Sequence, residues 1–308
     1  MFLIRYKLKF KWLEGVINMK ILYYDCFCGI SGDMNLAALI DLGVPKEYLM
    51  QELSKMNLNS EYEIKIERSA KLGITGTRVD VILKDKLKDK THSAKQALHE
   101  HSHEHSHYHS DEEHHHGENN HEHSHEGHVH NHEHHHRNLK AIEEIINSSD
   151  LSDKVRKLSL DMFMKVAEAE AKVHGKGLYE VHFHEVGAID SIIDMVGAAI
   201  CLDYLKVDKI IASPVQVGGG FVKCAHGLMP VPAPATVEIL REIPIKTGIV
   251  RFETTTPTGA AILAANVKEF TEKVDFSIKK IAYGVGHRDL EIPNVLRVYL
   301  GEAGNIND

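Results

Sequence analysis

The 308-residue chain has no basic excess, no cysteine framework and no long apolar run, and each absence removes a class of function. Its formal charge of -8 and pI near 6.3 leave no basic face of the kind nucleic-acid binding needs. Cys26, Cys28, Cys201 and Cys224 are too few and too scattered for a disulfide scaffold. They suit a reducing cytosol, so free thiols and a cytoplasmic location are expected. No segment approaches the roughly 20 apolar residues of a membrane span. Residues 1–18 intersperse Arg5, Lys7, Lys9 and Lys11 with apolar residues and lack the uninterrupted apolar core of an export signal. They read as a disordered or non-native extension ahead of a working chain that starts at Met19.

With 43% hydrophobic residues the chain can bury a sizeable core in one or two domains. Ile21–Tyr24 reads as a buried strand, CFCGISGD as a Gly-rich turn, and Met34–Leu42 as a helix closed by Gly43. Ser31 or Asp33 can cap that helix, and the turn can serve as a phosphate or metal-water site or as an ordinary capped turn. No Lys-Ser/Thr pair follows Gly32, so the turn is not a P-loop. Cys26 and Cys28 are either soft nickel ligands or buried thiols. Tyr62–Arg68 and Gly76–Leu83 alternate as a hairpin about Gly73, and Ser152 opens a long amphipathic helix that Gly175 stops. The whole reads as mixed α/β, strand-helix units plus a hairpin, with lobes at 19–90 and 138–301 and a tail at 302–308.

Between the two expected lobes, 91–137 is a biased tract. Nineteen of the 24 histidines fall between His92 and His136, among them His101, His103, His105, His107, His114, His115, His116, His134, His135 and His136. With so little apolar surface to offset ordering entropy, it reads as a disordered insertion. Imidazoles at this density, interleaved with carboxylates, bind borderline metals with affinity rising toward nickel, which suggests storage.

The stretch with the most chemistry is VHFHEVGAIDSIIDMVG, Val181–Gly197. On an extended segment His182 and His184 share one face and Glu185 the other. Asp190 and Asp194, four apart on the following helix, share a face of it. Imidazole plus carboxylate suits a divalent metal, and Glu185 or Asp33 can act as a base. Alternatively Asp190 caps a helix and the histidines are satisfied core groups. Further on, the Gly218–Gly220 run, centred on Gly219, precedes Lys223, Cys224 and His226, a cation, a thiol and an imidazole within four positions. In TTTPTGAAIL, Thr258 as a cap and Gly259 behind it offer a second anion site. Gly284–Leu290 reads as a flexible loop carrying His287 and the candidate phosphate fork Arg288.

Five motifs, DCFCGISGDM, HFHEVGAIDSIIDMVG, ASPVQVGGGFVKCAHGLMPVPAPAT, TTTPTGAAI and AYGVGHRDLEIPNVLR, together resemble the nickel insertion proteins that mature the lactate racemase cofactor, over Lys20–Gly301. The resemblance implies nickel insertion into pyridinium-3,5-bisthiocarboxylic acid mononucleotide, with CTP consumed alongside Mn(2+) or Mg(2+). It also implies a homo-oligomer and an acceptor such as the lactate racemase apoenzyme. Full-length members of that family continue into a C-terminal domain associated with CTP and metal. This chain therefore resembles their N-terminal part and would work with a separately encoded C-terminal subunit. His287 departs from the pattern, where a small residue or Thr is more usual. Without the family, two other readings stand: a nickel storage or chaperone protein using the tract, and a metal-dependent phosphoester hydrolase.

Overall fold

Seven strands from both sides of the His-rich tract lie in one sheet in the order β2 (Tyr62–Lys71), β3 (Ile74–Leu83), β10 (Ser277–Val285), β11 (Val295–Ala303), β1 (Met19–Asp25), β4 (Lys209–Ala212), β9 (Glu269–Phe270). The computed structural model describes residues 18–84, 137–181, 183, 187–224 and 227–304. The segments expected as two lobes thus share this sheet: β1, β2 and β3 come from the first, and β4, β9, β10 and β11 from the second. The pairing is mixed. β1 runs parallel to β4 and antiparallel to β11, while β10 runs antiparallel to β11 and parallel to β3.

The apolar run of β1 is buried on both faces, as expected of a central strand. Leu22 and Tyr24 enter the main core, whereas Ile21 and Tyr23 join Ile211 in a smaller cluster on the other face, where Tyr23 stacks on Tyr299 at 5.7 Å between centroids. The hairpin β2–β3 forms about the expected turn at Gly73, each strand longer than its alternating pattern.

Helices α1 (Gly32–Asp41), α2 (Lys46–Ser54), α3 (Leu139–Asn147), α4 (Asp153–His174), α5 (Ile189–Leu205), α6 (Pro234–Ile239) and α7 (Pro257–Asn266) supply the rest of the main core. α4 starts at its Ser152 cap, whose hydroxyl accepts from the Val155 amide, and stops at Gly175 in the left-handed region, as the sequence signals. α5 is apolar nearly all round and correspondingly buried, from Ile192 to Cys201. Fully burying each such Ile or Met contributes roughly 1.5–3 kcal/mol. No helix among the described residues is long and apolar enough to cross a membrane.

α1 lies between α5 and the sheet. A Cβ at Gly284 of β10 would sit 1.8 Å from the Met34 carbonyl oxygen, so main chain touches main chain there. At the far end of α1, Asp41 accepts from the Thr77 hydroxyl and the Tyr283 amide, both at 2.9 Å, fixing the helix over the β3–β10 seam. Both approaches to residues 85–136 meet Glu61: its carbonyl accepts from the Lys84 amide at 3.0 Å, and its carboxylate takes two bonds from Arg137 at 2.7 and 3.0 Å.

Candidate functional site

The turn from β1 into α1 brings its polar side chains to one cleft. Ser31 is the first residue before α1, but its hydroxyl does not cap the helix; it donates to the Asp33 carboxylate instead. The second Asp33 oxygen lies 2.8 Å from Nδ1 of His287, and Nε2 of the same ring is bonded to Asp80 on β3. Asp80 in turn accepts from Arg78, at 3.1 Å from its Nη2. A chain Ser31–Asp33–His287–Asp80–Arg78 is therefore formed, of which Ser31, Asp33 and His287 reach the cleft wall. Beside it opens a cleft of about 160 Å³, lined also by Thr254, Thr256, Arg288 and Asn294.

The charges in this chain support one another. The hydrogen bond to Asp33 raises the His287 imidazole above its usual value; burial opposes this and the Asp80 bond adds to it. For Asp80, burial pushes upward, but the bonds from His287 and Arg78 outweigh it and hold the carboxyl low. Arg288 is exposed at the cleft and pairs with no carboxylate among the described residues. Gly284–Leu290, expected as a flexible loop, ends β10 with its first two residues and is tied down beyond them: Lys71 reaches the His287 carbonyl at 3.1 Å and the Asp289 carboxylate, and Asn294 donates to the Arg288 carbonyl at 3.0 Å.

Behind the cleft, Asp194 of α5 is buried and its Oδ1 has no hydrogen-bond partner. Burial first, then the charges of Asp33 and Asp190, lift its carboxyl well above the ordinary range. Asp190, though four residues away, is exposed and accepts from the Ser191 amide at 2.8 Å. The two share a helix side but differ in solvent access, because α1 covers only Asp194.

The structure thus brings Ser31, Asp33 and Arg288 together and sets Gly32 against Asp194. The other expected anion ligands are engaged elsewhere. Thr256, not Thr258, caps α7, accepting from the Gly259 amide at 3.3 Å, because Pro257 takes the first helical position where an N–H is dispensable. Thr258 is buried, and Gly259 abuts the Ile30 carbonyl, where a Cβ would lie 2.2 Å away. The Gly219 amide is bonded to the Phe252 carbonyl at 3.3 Å, so the glycine run packs chain on chain. Lys223 is exposed on a hairpin of β6 (Phe221–Cys224) and β7 (Gly227–Pro230).

Cys26 and Cys28 are buried thiols; burial lifts Cys26 far up and Cys28 to about 11. Asp25, flanking the same turn, is taken by Arg297, 2.8 Å from its Nε. His182, His184, Glu185 and His226, the side chain of Cys224, and the tract histidines from His101 to His136 lie outside the described residues. Val181 and Phe183, alternating with the first two, are both buried. Among the described residues no three His, Cys, Asp or Glu side chains are grouped to hold a metal ion. The sequence pattern marks neither His287 nor Asp80 as a site residue, although a histidine beside Arg288 in a Gly-flanked segment is a usable signal.

The family described as nickel insertion protein matches residues 22–308. This chain belongs to the nickel insertion protein family. Two relatives named pyridinium-3,5-bisthiocarboxylic acid mononucleotide nickel insertion protein are similar to it. The one from Clostridium kluyveri is 72% identical over 92% of this chain and 62% of the relative, and that from Clostridium acetobutylicum 73% identical over 94% and 66%. A relative of the same name from Akkermansia muciniphila is 43% identical over 92% of the chain and 61% of its own length. The chain therefore spans under two thirds of these nickel insertion proteins. No solved structure matches it.

Proposed function

We propose that this chain inserts nickel into pyridinium-3,5-bisthiocarboxylic acid mononucleotide, forming the nickel-pincer nucleotide used by lactate racemase or a related acceptor in the cytoplasm. The observation that carries this reading is its 72% identity, over 92% of the chain, to a relative of that name. The relatives named above carry neither a storage nor a hydrolase name.

The chemistry replaces a ring C–H by a nickel–carbon bond beside nickel–sulfur bonds, so a proton must be accepted as the metal arrives. Asp33, held in the cleft by Ser31 and His287, is the proposed acceptor, with Glu185 as the alternative. Arg288, without a partner among the described residues, is the proposed anchor for the phosphate. Nickel, as cargo, is assigned to His182, His184, Glu185, Asp190, Asp194, Cys224 and His226, with the tract histidines as its reservoir. For Asp194, whose burial works against ionisation, the metal would have to hold the carboxylate form.

CTP with Mn(2+) or Mg(2+) does not fit the cleft. Among the described residues no three His, Cys, Asp or Glu side chains are grouped to hold the divalent ion that travels with CTP. The proposal therefore places CTP on a C-terminal subunit, in a homo-oligomeric assembly, and derives no step through it here.

The test is to mix the chain with the mononucleotide, nickel, CTP and Mn(2+), with and without the C-terminal part of a relative, and to follow the mass of the nucleotide. A gain of one nickel with loss of a proton is expected. No gain in either arm, with all components verified, would sink the reading.

A further inference from the structure

His287 holds a carboxylate at each ring nitrogen, Asp33 at Nδ1 and Asp80 at Nε2. A neutral imidazole has one N–H and can donate to only one of them; the imidazolium donates to both. The two carboxylates come from different elements, Asp33 from the start of α1 and Asp80 from β3, so the ring joins helix, strand and its own loop at one point. The next residue is Arg288, which lines the cleft.

We infer that His287 is a positioning residue for the proposed substrate: gripping Asp33 and Asp80 as an imidazolium, it fixes the 286–290 loop so that Arg288 faces the cleft and receives the phosphate of the mononucleotide. This rests on the proposed function for the identity of the ligand, and on the geometry for the grip.

The neighbours of the ring bear on when the grip holds. α1 contributes Asp33, and β3 contributes Asp80 with Arg78 attached to it. β2 contributes Lys71, bound to the loop through Asp289, and Glu253 lines the same cleft. The raised imidazole value means that the stabilisation is complete below the unfolded value near 6.5 and is lost as pH rises through the folded value. Asp80 sets the other limit, since its contribution is lost as pH falls through its lowered value. Binding should therefore weaken toward alkaline pH, without His287 donating or accepting a proton in the reaction.

The experiment is equilibrium binding of the mononucleotide to the full chain by calorimetry, from about pH 7 to about pH 9.5, in wild type, His287→Gln and Asp80→Asn. Asp80 does not line the cleft, so its variant breaks the grip without altering any group that meets the ligand. Both variants should bind about tenfold more weakly at neutral pH, the loss of one well-placed charge-assisted bond. The wild type should approach them as pH rises, while His287→Gln stays flat. Amide exchange across 286–291 should be faster in both variants at neutral pH, with exchange in β1 unchanged as the check on folding. A wild type that binds while both variants match it, or exchange that speeds up with no change in affinity, overturns the positioning role alone. A wild type that binds no mononucleotide overturns the proposed substrate and the ligand assigned to Arg288. The wild-type pH profile needs no variant and decides the matter even where a substitution unfolds the chain.

Discussion

Asp194 presses against Gly32 so closely that a Cβ on the glycine would lie 2.3 Å from Oδ2 of the carboxyl. The first turn of one helix is thereby seated on the one carboxyl group buried in α5. Gly32→Ala should force Asp194 or α1 to shift, costing about 1–3 kcal/mol as overpacking does. The midpoint of urea unfolding measures it, and an unchanged midpoint would show that the carboxyl can move aside freely.

The same carboxyl makes stability depend on pH with a definite sign. A folded value raised above that of the unfolded chain stabilises fully below about pH 4, and the benefit is lost as pH climbs toward the folded value. Asp194→Asn, nearly isosteric and never charged, should therefore gain stability relative to wild type on going from pH 5 to about pH 8. Melting temperatures in the presence of a chelator test this; parallel curves for the two proteins would contradict it.

Asp33→Asn should lower the rate of nickel insertion by about 100-fold or more, the usual worth of a positioned base. Its melting temperature should fall by only a few degrees, because the residue is partly exposed at the cleft. A rate within threefold of wild type would move the proton acceptor elsewhere, with Glu185 next in line.

Replacing residues 86–135 by about ten Gly and Ser residues should leave the fold intact. Shortening a closed loop to that extent favours folding by roughly 1.5 kcal/mol of loop-closure entropy at most, and the ends at Lys84 and Arg137 keep their bonds to Glu61. Nickel bound per chain should drop severalfold, while insertion at saturating nickel persists. Loss of insertion at every nickel concentration would instead assign the tract to the reaction.

Local signals carried much of the architecture. The apolar run after Met19, the Ser152 cap and Gly175 stop, and the hairpin about Gly73 each fold as their own residues dictate. Boundaries drifted where pairing prolonged an element, as in β2 and β3, which extend each other to Lys71 and Ile74. The site was less legible because its groups meet only through long-range pairing: His287 and Asp80 are 207 positions apart, joined by the parallel contact of β3 with β10. Parallel pairing leaves no turn in the sequence to announce it. Thr258 and Gly219 drew attention for polarity and flexibility that the fold uses for internal packing.

The close approaches at Gly259 and Gly284 carry one more consequence. There the Ile30 and Met34 carbonyls rest against neighbouring main chain, so the start of α1 is located by backbone contacts on both flanks. The address of Ser31 and Asp33 is thus written in peptide groups that side-chain substitutions leave alone. The lining at Thr254, Thr256 and Arg288 can then be varied while Asp33, the proposed proton acceptor, stays in register.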